Sequence, residues 1–304
     1  MIRNCEGSVE AETPVVVFAH NRPSLLRRCL ESLENNPRAR NTPVIVKIDG
    51  PKLAGDRELI DACRGVCGEP WNFGSMSVST RDSNLGLRRS VLSGIDEVFQ
   101  SYSRVIVVED DLVLAINFLD FLGEGLDLFA NDERVQSIAG FAYRSRLLSR
   151  KAYVLPVAES WGWATWRSRW VSFDFDSARL SENRRFGFWR ELILHAGKFR
   201  LKASNQSQGV IDSWAIDWVF SGYERNQVSL FPPHSLVLNR GFESGTHSIS
   251  KAKLRRALTP PRFGSNRGPI SMPTEPNFQA FQYLALAYGL SRSRSGDGLL
   301  AAVV

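Results

Sequence analysis

Four short runs in the first third of the chain end in polar residues at intervals of roughly 30 residues, the length of one βαβ unit. PVVVFA (14–19) runs into His20-Asn21-Arg22, and PVIVKI (43–48) into Asp49-Gly50. SMSVST (75–80) runs into Arg81-Asp82-Ser83-Asn84, and RVIVV (104–108) into Glu109-Asp110-Asp111. The first of these runs, apolar and β-branched, is expected of a strand buried on both faces, and the other three read as strands beside it. Between them lie helical patterns. Pro23 can open a helix at its first position, and Leu25, Leu26, Cys29, Leu30 and Leu33 follow at helical spacing. Asp56–Cys67 reads as a second helix. Gly86–Gln100 reads as a third, with Leu87, Val91, Ile95, Val98 and Phe99 on one side. Parallel strands need such crossovers, and their helices cover both sheet faces. The expected fold is therefore α/β, a Rossmann-like open, mostly parallel sheet. Ligands of such sheets sit at the carboxyl ends of the strands, where the polar residues fall here.

The second half is less regular. Ile116–Ala130 and Ile211–Arg225 read as helices, Val135–Ala139 and Val228–Phe231 as strands, and Phe278–Tyr288 as a terminal helix. ESWGWATWRSRW (159–170) holds four of the eight tryptophans. Trp163, Trp166 and Trp170 lie at helical spacing and read as a core ridge. Trp161, beside Gly162 and near Glu159, is the better contact for a sugar face, because indole combines a flat apolar ring with an N–H donor. The organisation expected is a short flexible N-terminus (1–13) and one domain (14–248), with a nucleotide-binding half (14–111) and a less regular acceptor half (112–248). A basic C-terminal extension (249–304) follows.

Charge and absences narrow the function. The net charge of +6 equals the six basic residues between Ser244 and Thr274 (Lys251, Lys253, Arg255, Arg256, Arg262 and Arg267), a stretch without acids. Broken by Pro260, Pro261, Pro269 and Pro273, it reads as a solvated loop rather than a nucleic-acid site. Peripheral contact with an anionic membrane is its alternative use. No apolar run approaches the roughly 20 residues that span a bilayer. Met1–Thr13 carries Glu6, Glu10 and Glu12 and no apolar segment, unlike a secretory leader. With four cysteines, a reduced, cytoplasmic protein is expected; Cys63 and Cys67 form one pair with no second, a poor zinc site. No Gly-x-Gly-x-x-Gly follows the first strand, and neither a P-loop nor a Gly-x-Ser-x-Gly elbow occurs, which argues against nicotinamide binding, P-loop chemistry and an α/β-hydrolase. Three consecutive carboxylates at the end of a buried strand favour a cation instead. Hard oxygen ligands suit Mg2+ or Mn2+, with substrate phosphates completing the shell.

PVVVFAHNRPSLLRRCLESL, VIVKIDG, the Asn84-Leu85-Gly86 turn and RVIVVEDDLVLAINFLDFL together resemble a GT-A glycosyltransferase, most of all the N-acetylglucosaminyltransferase I family. The later segments ESWGWATW, DSWAIDW and GFESGTHS resemble bacterial glycosyltransferases of surface-polysaccharide clusters. The resemblance implies a metal-dependent, inverting enzyme that moves a sugar from a nucleotide-sugar donor, UDP-linked by expectation, to a hydroxyl of a glycan or lipid-linked acceptor. It assigns Arg22 and Asp49 to the uracil and ribose side of the donor, with Asn84 in the same donor site. Glu109 and Asp110 would contact ribose and sugar, and Asp111 the metal. The general base that takes the acceptor proton is assigned to Asp212 at a helix start, with Asp217 in reserve. His247 would close over the diphosphate or the metal. A cytoplasmic protein, at most peripheral to the inner face of the membrane, is implied. A sugar-phosphate nucleotidyltransferase and a non-catalytic glycan-binding protein on a degenerate transferase fold remain alternatives.

Overall fold

Strand β1 (Val15–Ala19) divides the interior in two. Val15 and Val17 face one core and Val16 and Phe18 the other, the period-two alternation of a strand. The computed structural model describes residues 13–142, 152–170, 191 and 199–241. Beside β1 run β2 (Pro43–Ile48), β3 (Ser75–Thr80) and β4 (Arg104–Glu109), all parallel, in the order β3-β2-β1-β4. Helices α1 (Pro23–Glu34), α2 (Asp56–Cys67) and α3 (Leu87–Val98) make the crossovers. Leu26, Leu30, Leu33 and Ile60 of α1 and α2 pack on the first face, while Val91, Ile95 and Val98 of α3 pack on the second.

The sheet continues beyond β4 with mixed polarity. After β5 (Leu112–Leu114) and α4 (Phe118–Leu128) come β6 (Val135–Ala139), β7 (Tyr153–Leu155), β8 (Trp163–Trp166) and a four-residue helix, α5 (Arg167–Trp170). Helices α6 (Phe199–Ser207) and α7 (Trp214–Glu224) precede β9 (Val228–Phe231) and β10 (Val237–Asn239). The eight strands lie in the order β3-β2-β1-β4-β8-β6-β9-β7. Strand β8 is antiparallel to both β4 and β6, β9 is parallel to β6, and β7 closes the far side antiparallel to β9. The fold is thus the α/β, mostly parallel open sheet expected of a GT-A enzyme. Separately, β5 and β10 pair antiparallel, Asn239 opposite Leu112.

Three local readings are corrected. Leu87 is 56% exposed, because α3 begins at that residue and its apolar face is carried by the later turns. The segment from Trp163 to Trp166 is a strand, not a helix, and strand alternation sends the two indoles to opposite cores. Trp163 stacks with Trp214 at 5.4 Å and lies 5.3 Å from Trp218, while Trp166 donates from Nε1 to the Leu126 carbonyl at 3.2 Å. Trp161, expected at the acceptor, is only 7% exposed and meets Phe141 edge-on at 5.1 Å. The tryptophans are core, as a large, largely apolar side chain usually is. The terminal helix at Phe278–Tyr288 and the 249–304 extension lie outside the described residues.

Candidate active site

The register of the parallel strands brings their carboxyl ends level. Ala19 pairs with Ile48, Ile48 with Thr80 and Phe18 with Glu109. One further rung follows at each junction: Asp49 N donates to the Ala19 carbonyl, Arg81 N to Ile48 and Asp110 N to Phe18, at 2.9–3.0 Å. His20, Arg22, Asp49, Asn84 and Glu109–Asp111 therefore share one edge of the sheet.

Asp110 and Asp111 are 1% and 7% exposed, while Glu109 is only partly buried. Arg22 stands at the N-cap position of α1, with Pro23 at the first turn behind it. Its guanidinium forks onto Asp110, Nη2 to Oδ1 and Nε to Oδ2 (3.3 Å), and Nη1 reaches Asp111 Oδ2 at 3.0 Å. Burial would lower the Arg22 pKa, but the charges of Asp110 and Asp111 outweigh it and hold the guanidinium ionised. Burial also pushes Asp110 up to about 6 although Arg22 pulls the other way. Glu109 is pushed up to about 8 by burial and then by the charges of Asp111 and Asp110. Among the described residues nothing donates to the Glu109 carboxylate.

Asp49 is 5% exposed and faces its own chain. Oδ1 accepts from Gly50 N and Leu85 N, both at 2.9 Å, and Oδ2 from Asn84 Nδ2 and Gly86 N, both at 3.1 Å. A carboxylate has about four acceptor positions, and all are used. Asp49 thus stitches the end of β2 to the loop that opens α3, where Gly50 passes so close to Ser83 that a Cβ would lie 2.4 Å from its carbonyl carbon. Asn84 Nδ2 also donates to the Gly50 carbonyl at 2.9 Å, which His20 Nε2 approaches at 3.0 Å.

A second cluster gathers at the start of α7. Asp212, two residues before the helix, has a side chain 73% exposed and lies 3.4 Å from Arg88 Nε. Asp217, 1% exposed, accepts on Oδ2 from Arg88 Nε (3.1 Å) and Nη2 (2.7 Å) and on Oδ1 from Gln206 Nε2 (2.5 Å). Gln206 Oε1 in turn accepts from Ser213 N at 3.0 Å, which pins the backbone beside Asp212. Burial raises the Asp217 pKa against the pull of Arg88. His247 lies outside the described residues.

With this geometry in hand, the chain compares with known proteins as follows. The GNT-I family model matches residues 1–146, just under half of the chain. The first half of the chain is thus similar to the GNT-I family. Among solved structures it is similar to the mannosyltransferase PcManGT from Pyrobaculum calidifontis in complex with GDP-Man and Mn2+, at 10% identity over 71% of this chain and 69% of that one, with a TM-score of 0.41. It is also similar to S. aureus TarS 1–349, at 12% identity over 72% of this chain and 57% of that one, with a TM-score of 0.39. The same fragment in complex with UDP-GlcNAc gives 15% identity over 53% and 46%, with a TM-score of 0.35.

The residues present suit a divalent cation at Asp111. Its Oδ1 is buried and takes no hydrogen bond, an orphan acceptor that a cation would satisfy. No three His, Cys, Asp or Glu side chains group to hold a metal among the described residues. The donor set therefore fits the one-carboxylate mode in which substrate phosphates supply most of the shell, the habit of Mg2+-like ions, rather than an all-protein cage. The chain that packs over Asp111 carries no such side chain in its described part. Arg240 N donates to the Asp111 carbonyl at 2.8 Å, and a Cβ on Gly241 would lie 2.2 Å from Asp111 Oδ2. Gly241 opens the GFESGTHS segment, so a local signal pointed there. Arg88 and Gln206 had none, because their partners lie far along the chain. Of the thiols, Cys29, Cys63 and Cys67 are free and buried.

Proposed function

We propose that the chain is a glycosyltransferase that takes a nucleotide-sugar, UDP-linked in the first instance, with Mn2+ or Mg2+. It passes the sugar to a hydroxyl of a glycan or lipid-linked acceptor with inversion. The observation that supports this reading is the acidic motif at the end of β4, with Asp111 keeping one buried oxygen unpartnered. When bound, the cation would neutralise charge on the leaving diphosphate. Asp111 would hold it, and Glu109 and Asp110 would face the sugar and ribose; Arg22, given the base and ribose side by the resemblance, instead forks onto Asp110 and Asp111 and from there would meet the phosphates. Asp49 would shape the base subsite through the 83–86 loop. Asp212 would accept the proton as the acceptor oxygen bonds to the anomeric carbon and the bond to the diphosphate breaks on the opposite face. Residues 14–111 are thus assigned to the donor, 112–248 to the acceptor and 249–304 to an extension, with His247 closing over the diphosphate. Surface-polysaccharide synthesis at the cytoplasmic side of a bacterial membrane is the setting proposed. Among the described residues no helix is long and apolar enough to cross a membrane.

Thermal stability with a panel of nucleoside diphosphates, with and without Mn2+, tests this reading. A ligand at 100 times its dissociation constant stabilises by about 2.7 kcal/mol, several degrees for a chain of this size. The expected result is a shift with uridine diphosphate that needs Mn2+ and is lost in Asp111→Ala, followed by turnover of a UDP-sugar. No shift with any nucleotide from a folded sample would reject the donor site.

A further inference from the structure

The acidic motif already holds a cation of its own. Arg22 takes both oxygens of Asp110 and one of Asp111, leaving Asp111 Oδ1 as the only buried carboxylate oxygen of the motif without a partner among the described residues. A bare divalent ion arriving from water would meet one buried oxygen that Arg22 does not already hold, with a positive charge about 3 Å from its neighbour. Such an ion gives up hydration water reluctantly and needs several anionic ligands in return. A diphosphate changes both terms. It brings its own oxygens to the ion, and it offers the guanidinium a second bidentate partner. The Arg22 side chain, 37% exposed against 1% for Asp110, is placed to be reached from solvent.

We infer that Arg22 is a resident counter-cation that keeps a lone divalent ion out of the acidic motif, so that the ion enters only together with the donor's diphosphate. The inference rests on the metal-and-nucleotide reading of this site. It makes metal and nucleotide mutually dependent: each raises the affinity for the other by the same factor. It also assigns Arg22 a role beyond contact with the donor, since removing it strengthens binding of the metal alone.

The test is Mn2+ binding to the full chain, read from the electron paramagnetic resonance signal of free Mn2+ and by calorimetry, without nucleotide and with uridine diphosphate. Arg22→Gln is expected to bind Mn2+ alone about tenfold tighter or more, since the motif then loses one full positive charge at contact distance. Its gain on adding uridine diphosphate should shrink. Asp111→Asn in the Arg22→Gln background should abolish the increase. Arg22→Gln binding Mn2+ alone no better than the unaltered protein overturns the inference, as does an increase that survives Asp111→Asn. Should Arg22→Gln fail to fold by circular dichroism, Arg22→Lys decides instead. It keeps the charge and so should bind Mn2+ alone no more than about twofold tighter than the unaltered protein; a gain as large as that expected of Arg22→Gln would show that the fork and not the charge excludes the ion, and would overturn the inference. The parent reading fails separately, if the unaltered protein binds no nucleoside diphosphate with Mn2+.

Discussion

Arg88 and Asp217, 129 residues apart, link α3 to α7 through one oxygen: Arg88 Nε and Nη2 both donate to Asp217 Oδ2, at 3.1 and 2.7 Å. The arginine stands in the first turn of α3, directly after the loop that Asp49 stitches. The aspartate is buried in α7, beside the segment that carries Asp212. The pair therefore runs from the nucleotide edge to the proposed base. Removing the arginine strands a buried carboxylate, which costs about 3–5 kcal/mol. Arg88→Ala should lose that much in urea unfolding, and Asp217→Asn less, since its amide is neutral and keeps an acceptor for Arg88. A loss below 1 kcal/mol for Arg88→Ala would mean the pair is not formed in solution.

Asp49 carries a prediction that separates scaffold from base reading. In Asp49→Asn one oxygen becomes an amide that faces the donors Asn84 Nδ2 and Gly86 N, leaving them unmatched. Stability should fall by about 2–3 kcal/mol. Because the carboxylate has no free acceptor position, the affinities for uridine, guanosine and adenosine diphosphates should fall by similar factors. A loss confined to the uridine nucleotide in calorimetry would show instead that Asp49 reads the base.

The raised carboxyls predict the pH dependence of the protein stripped of divalent ions. Glu109 has an ordinary value of 4.5 and a folded value of about 8. For Asp110 the pair is 3.8 and about 6. Between those limits the unfolded chain is ionised while the native group keeps its proton, so the native state binds more protons and stability falls as pH rises. The decline should run from about pH 4 to pH 8 and flatten above, with Glu109 the larger contributor. Glu109→Gln should remove most of it above pH 6. Chemical denaturation in EDTA from pH 5 to 9 measures this, and a stability that rises over that range in the unaltered protein would contradict it.

Burial pushes the Cys63 thiol up to about 12 and Cys67 to about 11, and raises Cys29 well above its usual range. The thiolate is the reactive form, so iodoacetamide at pH 8 should leave all three unlabelled in the native protein and label them in urea. Peptide mass mapping reads each site separately. Labelling of native Cys63 at the rate of a free thiol would mean that α2 does not pack as described.

How much of this was legible in the sequence depends on the reach of each signal. Strand β1 stands out because burial on both faces writes five apolar residues in a row, β2 because only Lys47 interrupts its apolar run, and the acidic motif because nothing in a core calls for it. Strands β5, β7 and β10, of three residues each, are too short for a period of two to show. Trp163–Trp166 carries a spacing of three that suits a helix and also suits a strand whose ends face opposite cores. Leu87 looks apolar and inward until the helix start is known. The Arg88–Asp217 and Arg22–Asp110 contacts leave no local trace, because they depend on which strand ends and helices the topology makes neighbours.

Gly241 offers the sharpest probe of the proposed metal site, because it packs against Asp111 without supplying chemistry. A Cβ there would lie 2.2 Å from Oδ2 and 3.0 Å from Cγ of Asp111, too close for the carboxylate to stay where it is. The carboxylate can move only by straining its contact with Arg22 at 3.0 Å or by turning Oδ1 out of its buried position. Gly241→Ala should therefore weaken Mn2+-dependent nucleotide binding by about tenfold or more, the consequence of misplacing a single oxygen ligand. Gly241→Ala should cost no more than about 1–3 kcal/mol in stability, the usual range for overpacking. Calorimetry with uridine diphosphate in the presence and absence of Mn2+ distinguishes the two effects. Equal losses under both conditions would mean that Gly241 acts on the fold alone and that Asp111 is not the metal ligand.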